Sequence, residues 1–320
     1  MSGALLAAAA VPAFARHETF HPRYGWLRKA YTAAEINPGV FQALDATVQL
    51  GVGKNMVSAI RYWSQAYKVL EEIPNAARPR LPQLAPTIFG RALFDEASGW
   101  DPYLENSGSL WLLHWKLFSP PCLAPAWWVT FNDFPLLYFS EGQLLAHVVE
   151  LAAAAGWPSV VESSVKKDVD CVLRMYASRA QGRQTLDDLL DCPFRELRLI
   201  EAVPGDARTW RFTVSDTTGP PPLIVAFACL DFISRVDANA SSISIARLAT
   251  DAGGPGCVFR LSEAGLAAAL REAAMAVKGL RVTDSVGRDQ LMLQSQSGLM
   301  ATEALAKHYV NLPAPVGVQS

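Results

Sequence analysis

The chain has 320 residues, 51% hydrophobic and 18% charged, a composition that fills sizeable cores and excludes a disordered chain. The length is about twice that of a typical domain, so two or three packed units are expected. The formal net charge of −2 does not by itself suggest nucleic acid, but residues 1–93 carry a balance of +5, residues 94–165 a balance of −7 and residues 166–320 a balance of 0, so a basic first third precedes an acidic middle.

Ala4–Ala15 is apolar and ends in a small-x-small pattern like a signal-peptidase site. No Lys or Arg precedes it, so the sequence favours an alanine-rich leader into the first domain over a secretion signal. His17–Tyr31 is dense in His, Arg and aromatic residues. Arg23 and Lys29 lie there beside aromatic rings and can grip phosphate or stack a base; the competing reading is an aromatic core with solvated cations. Thr32–Glu35 has the spacing of a capping box that would start a short helix.

Val40–Leu50 and Gly53–Glu72 read as a helix–turn–helix pair about Gly51 and Gly53. In the second helix Met56, Val57, Ile60, Trp63, Tyr67 and Leu70 recur at three- and four-residue steps as a buried stripe. Lys54, Ser58, Arg61, Gln65 and Lys68 recur on the opposite side, with no carboxylate among them. A helix that enters DNA needs one face for the domain and one for the groove. Proline-rich Pro74–Pro86, with Arg78 and Arg80, follows in the position of a wing along the backbone. Gly51-Val-Gly-Lys54-Asn55 lacks both the earlier glycine and the hydroxyl of a phosphate loop.

The acidic middle carries Trp100, Trp111, Trp115, Trp127 and Trp128. Ser109–Phe118 reads as a helix and Trp127–Asn132 as a helix or strand. Asp101 and Glu105 precede His114 and Lys116, types that can hold a divalent ion (Mg²⁺ or Mn²⁺) and activate water against a phosphodiester. His114-Trp-Lys116 matches half of a His-x-Lys phosphodiesterase motif, but Pro121 stands where an acid is expected. The competing reading is a buried, hydrogen-bonded His114 between tryptophans, with Asp101 in turn chemistry. Asp101, Glu105, His114 and Lys116 are the candidate catalytic set, with Asp101 and Glu105 as candidate metal ligands.

Ser140–Gln143 is a second capping box, before an apolar helix. Ser163–Tyr176 is the next helix, its core stripe Val165, Val169, Val172 and Tyr176 and its outer face Lys166, Lys167, Asp168, Asp170 and Arg174. That mixed charge suits structure or partner contact better than DNA. Gln181–Asp191 is a polar connector. Arg195–Ile200 and Trp210–Val214 read as strands, Leu223–Val236, Ile243–Thr250 and Ser262–Lys278 as helices, and Leu280–Thr283 with Gln290–Gln294 as a terminal hairpin. The fold class is mainly α with small β wings (α+β), in tandem winged-helix or helix-turn-helix-like units: 1–94 DNA-binding, 95–192 acidic and helical, and 193–320 winged-helix-like. No strict sequence repeat marks a duplication. The five cysteines show no zinc spacing and fit a reduced cytoplasmic interior. No apolar run reaches transmembrane length, and nothing calls for an organic cofactor or a membrane.

Residues 14–31 (FARHETFHPRYGWLRKAY), 50–63 (LGVGKNMVSAIRYW), 101–117 (DPYLENSGSLWLLHWKL), 131–134 (FNDF) and 165–176 (VKKDVDCVLRMY) together resemble the SspB-type family of bacterial DNA phosphorothioation systems, first catalogued as a domain of unknown function. The resemblance spans most of the chain. It implies double-stranded DNA as substrate, nicking that allows sulfur to enter the backbone, and a role in anti-phage defence. It also implies three partner proteins: a cysteine desulfurase, an ATPase and a protein resembling phosphoadenosine phosphosulfate reductases. It carries no residue-by-residue active site, so the catalytic candidates rest on their chemistry. The expected function is therefore a DNA-binding nickase of phosphorothioate modification. The alternatives are a non-enzymatic winged-helix adaptor or regulator, and a scaffold whose aromatic middle is a partner surface.

Overall fold

The structure is a computed structural model that describes residues 2–76, 78–157, 160–178, 192–213, 219–285 and 288–310. Gln181–Asp191 lies outside the described residues. Contacts divide the chain into two units, residues 1–213 and 214–320.

The first unit begins with α1 (Ser2–Ala9). The alanine-rich segment is thus part of the packed unit. Leu6 is fully buried, and a Cβ on Gly3 would sit 2.5 Å from the Ala154 carbonyl. Helix α2 (Trp26–Ile36) starts at Gly25, whose φ of 76° suits glycine. The Thr32–Glu35 box therefore lies inside a helix instead of starting one, and the Glu35 carboxylate accepts from the Tyr31 hydroxyl instead. Helices α3 (Ala46–Leu50) and α4 (Lys54–Ala66) follow, then the hairpin β1 (Leu70–Ile73) and β2 (Gln83–Pro86), then α5 (Ile88–Phe94). Gly51, at φ 60°, makes the left-handed turn between α3 and α4.

Helices α6 (Ser107–Phe118) and α7 (Pro125–Asn132) are buried on nearly every face. Pro125 opens α7 at the helical position where a missing N–H costs nothing. Strand β3 (Tyr138–Ser140) leads into α8 (Glu141–Ala154), where both bonds of the Ser140–Gln143 capping box form. Helix α9 (Glu162–Tyr176), β4 (Ala177–Ser178), β5 (Ile200–Val203) and β6 (Asp206–Phe212) complete the unit, with strand order β3-β6-β5-β4. Residues expected to form a strand at Arg195–Ile200 instead make a short 3₁₀ helix, Pro193–Leu197, ahead of β5.

The first unit has one aromatic core. Trp63 of α4 meets Trp127 of α7 edge to face at 5.4 Å, and Tyr67 stacks on Phe194 at 4.9 Å. Residues 1–94 and 95–192 therefore share a core, and the chain divides at 213/214. Trp111, Trp115, Trp127 and Trp128 are all buried and Trp100 is half-buried, so most tryptophans of the middle segment serve the interior.

The second unit comprises α10 (Pro222–Val236), β7 (Ser242–Ser244), α11 (Ile245–Thr250), α12 (Pro255–Phe259), α13 (Glu263–Ala273), β8 (Leu280–Ser285), β9 (Arg288–Leu293) and α14 (Ser297–Val310). The expected helix at Ile243–Thr250 is a strand end followed by a helix capped by Ser244. Strand order is β7-β9-β8. This unit repeats an order seen in the first: α7–β3–α8–α9–β5–β6 parallels α10–β7–α11–α13–β8–β9, and in each sheet the first strand lies beside the last. The architecture is α+β, helices with small, mostly antiparallel sheets. Among the described residues no helix is long and apolar enough to cross a membrane.

Candidate nucleic-acid interface

Helix α4 buries more of its surface than the expected stripe. Ala59, Tyr62, Ser64 and Ala66 join Val57, Ile60 and Trp63 inside, while Met56 is half-buried. What remains outside is a narrow strip. Lys54 and Ser58 are exposed on it, at an amino-terminal end with no acidic residue in its first turn and no side-chain cap. Arg78 and Arg80 are exposed in the segment between β1 and β2. These four residues are available to a phosphate backbone.

The other members of the expected basic face have work within the fold. Arg61 pairs with Glu72 of β1 at 3.4 Å. The Gln65 amide donates to the Arg61 carbonyl, 3.2 Å away. Lys68 lies beyond the end of α4 with φ 61°, and its Nζ donates to the Pro121 carbonyl at 2.6 Å. Burial, with Lys116 adding, lowers its pKa. Lys29 Nζ donates at 2.8 Å to the Leu50 carbonyl at the end of α3. The Arg23 guanidinium lies 5.7 Å from the Trp26 ring and 6.0 Å from the Phe20 ring. Arg61, Gln65, Lys68 and Lys29 thus act first as struts.

The structure does not gather the candidate catalytic set. Asp101 is buried, and both its oxygens close a loop: Oδ1 accepts the Glu105 N–H at 2.9 Å and Oδ2 the Asn106 N–H at 3.0 Å. Glu105 is exposed. His114 is fully buried in α6, its Nδ1 2.8 Å from the Tyr176 hydroxyl, among the edges of Phe118 and Phe131. It lies inside α6, whereas Glu105 precedes that helix and is exposed. Lys116 Nζ stands 5.3 Å from the Phe89 ring. Each Asp101 oxygen already accepts one backbone N–H, which fixes the carboxylate in its loop. Among the described residues no group of three or more His, Cys, Asp or Glu has the geometry of a metal site.

The pairing that residue patterns missed is His17–Asp168. Asp168 is buried, not on the outer face of α9. Its Oδ1 takes the Ala15 N–H at 2.7 Å and lies 2.9 Å from His17 Nε2. Burial raises the Asp168 carboxyl above its ordinary range, while His17 and the Ala15 N–H oppose the rise. His17 packs face to face on Trp63 at 5.9 Å, and its Nδ1 has no hydrogen-bond partner among the described residues. The signal lay in the stripe: Asp168 sits three residues after Val165 and four before Val172, on the flank that faces the core.

Comparison with known proteins adds lineage to this geometry. The family described as "Protein of unknown function (DUF4007)" matches residues 14–309. A crystal structure of SspB is 44% identical, with a TM-score of 0.89, covering 98% of this chain and 92% of the other. The chain belongs to the DUF4007 family and is an SspB-type protein. A magnesium-ion-bound crystal structure of SspB is 43% identical, with a TM-score of 0.90 over 98% and 93% of the two chains. No curated protein matches. The magnesium belongs to that relative; here Asp101 accepts two backbone N–H groups and Glu105 is exposed.

Proposed function

We propose that this protein is the DNA-handling component of a phosphorothioate modification system, holding duplex DNA in the cytoplasm and nicking one strand so that sulfur can enter the backbone. The observation that carries the reading is the 44% identity to SspB over nearly the whole of both chains. The repeated helix–hairpin order supports reading the units as winged helices. In that frame α4 is the helix offered to the groove and the β1–β2 segment is the wing. Lys54, Ser58, Arg78 and Arg80 carry the contact, with phosphate drawn to the uncapped amino end of α4. Its partners in this reading are the desulfurase, the ATPase and the reductase-like sulfur-transfer protein of the same system.

The experiment is relaxation of supercoiled plasmid by the purified protein, with and without Mg²⁺ or Mn²⁺. Accumulation of open circles supports the reading. Duplex binding without relaxation under either metal favours the second reading, a non-enzymatic winged-helix adaptor. The specific observation behind that alternative is that Asp101, Glu105, His114 and Lys116 do not converge.

A further inference from the structure

The amino-terminal arm after α1 is held in a strained shape. Ala15, Glu18 and Thr19 have φ of 56°, 51° and 68°, a region non-glycine residues rarely adopt and that persists only where surrounding contacts over-determine it. Helix α9 supplies those contacts. Asp168 takes the Ala15 N–H and His17, and Arg174 Nη2 donates to the Thr19 carbonyl at 2.7 Å.

Phe14 and Arg16, the neighbours of the pinned Ala15, line a cavity of about 360 Å³ with Trp157, Val161 and Ser164. The Phe14 and Trp157 rings meet edge to face at 6.2 Å. Arg16 is exposed and, among the described residues that line the cavity, is the one charged residue, with no carboxylate. The volume lies in the range of small-molecule sites.

We infer that this cavity takes one unstacked nucleotide of a single DNA strand. The base lies against Trp157 and Phe14, and the phosphate takes the Arg16 guanidinium and the Ser164 hydroxyl. Aromatic rings accept any base by its face, and a guanidinium matches phosphate geometry. A lining with one cation and no acid favours an anion over a basic peptide. Taking a base out of the stack costs least where the strand is already single, and a nick creates a strand end that can fray toward that state. The inference rests on the reading of the protein as DNA-handling and deepens it by assigning a place for the separated strand.

The test is fluorescence anisotropy of the full chain with a short labelled single strand and, separately, a duplex of the same sequence. Arg16→Ala and Trp157→Ala should each weaken single-strand binding about tenfold, and Trp157→Phe should recover most of the loss. Duplex affinity should change by less than about twofold, within the cost of one peripheral contact. Single-strand affinity unchanged in Arg16→Ala and Trp157→Ala overturns the site. So does Trp157→Phe binding no better than Trp157→Ala, which would make the ring a packing element. A wild-type chain that nicks plasmid yet binds no single strand overturns the site and leaves the proposed function standing. A chain that binds neither form of DNA overturns both.

Discussion

Helices α4 and α9 occupy comparable places in the first unit. Each follows a helical turn, each precedes a two-stranded hairpin, and each carries a core stripe at three- and four-residue steps. They differ in where their polar residues go. Helix α4 leaves Lys54 and Ser58 outside, beside the exposed Arg78 and Arg80. Helix α9 turns Asp168 inward to hold the arm, and its exposed Lys166 pairs with Glu141 at 3.9 Å. Helix α13, at the matching place in the second unit, exposes Glu263 and Glu272, while its Arg271 is held by both oxygens of Asp289 at 2.7 Å. One scaffold thus carries three different surfaces, and a helix–hairpin order alone does not make a DNA contact.

The largest effect that would break this contrast is on folding. Asp168→Ala leaves the Ala15 N–H and the buried His17 Nε2 without their partner and should cost about 2 kcal/mol, read as a lowered Tm; an unchanged Tm would mean that the pairing does not stabilise the fold. Because burial holds this carboxyl above its ordinary pKa, the unfolded chain releases the proton first. Its contribution to stability is full below the unfolded pKa and is lost as pH rises through the folded one. Asp168→Asn, which keeps the acceptor and stays neutral, should therefore gain on wild type as pH rises above the ordinary carboxylate range, about 4. Asp168→Asn losing ground as pH rises would show that the charged pair stabilises the fold.

Next is the DNA face. Reversing Lys54, Arg78 and Arg80 together to Glu should lower duplex affinity by about a hundredfold at low salt, with the thermal transition intact. Equal affinity would remove α4 and its hairpin from the interface. Lys68→Met sharpens the boundary between grip and strut: it should cost about 1 kcal/mol of stability and leave duplex affinity alone. The smallest effect is Lys54→Ala, which should lower the log–log salt slope by about 0.9; the same slope as wild type would mean that Lys54 meets no phosphate.

The α4 stripe and the Ser140–Gln143 box were legible because periodicity and capping act within a few residues. Repeated helix-and-hairpin units were expected from element order, but the positions of the two copies were not legible, since they keep order and pairing without keeping sequence. Asp101 had the chemistry of a catalytic acid, but its neighbours in the chain claim both its oxygens. Lys68 continued the basic period on paper, while a left-handed φ takes it off the helix. His17 and Asp168 are 151 positions apart, and no local pattern ties a histidine in one segment to a carboxylate that resembles a surface charge.

Gly3 and the His17–Asp168 pair sit at two ends of one stretch of chain. Gly3 lets α1 press against the backbone at Ala154, and Asp168 fastens the arm at Ala15 and His17. With the Ala9 and Val11 backbone bonds to Cys122 and the Arg174 bond to Thr19, they make a multivalent tether. When one point lets go, the others keep the freed end at high effective concentration, so it rebinds before it can diffuse away. A single lesion therefore yields brief openings, and lasting release of the arm, with Phe14 and Arg16, requires several points to fail.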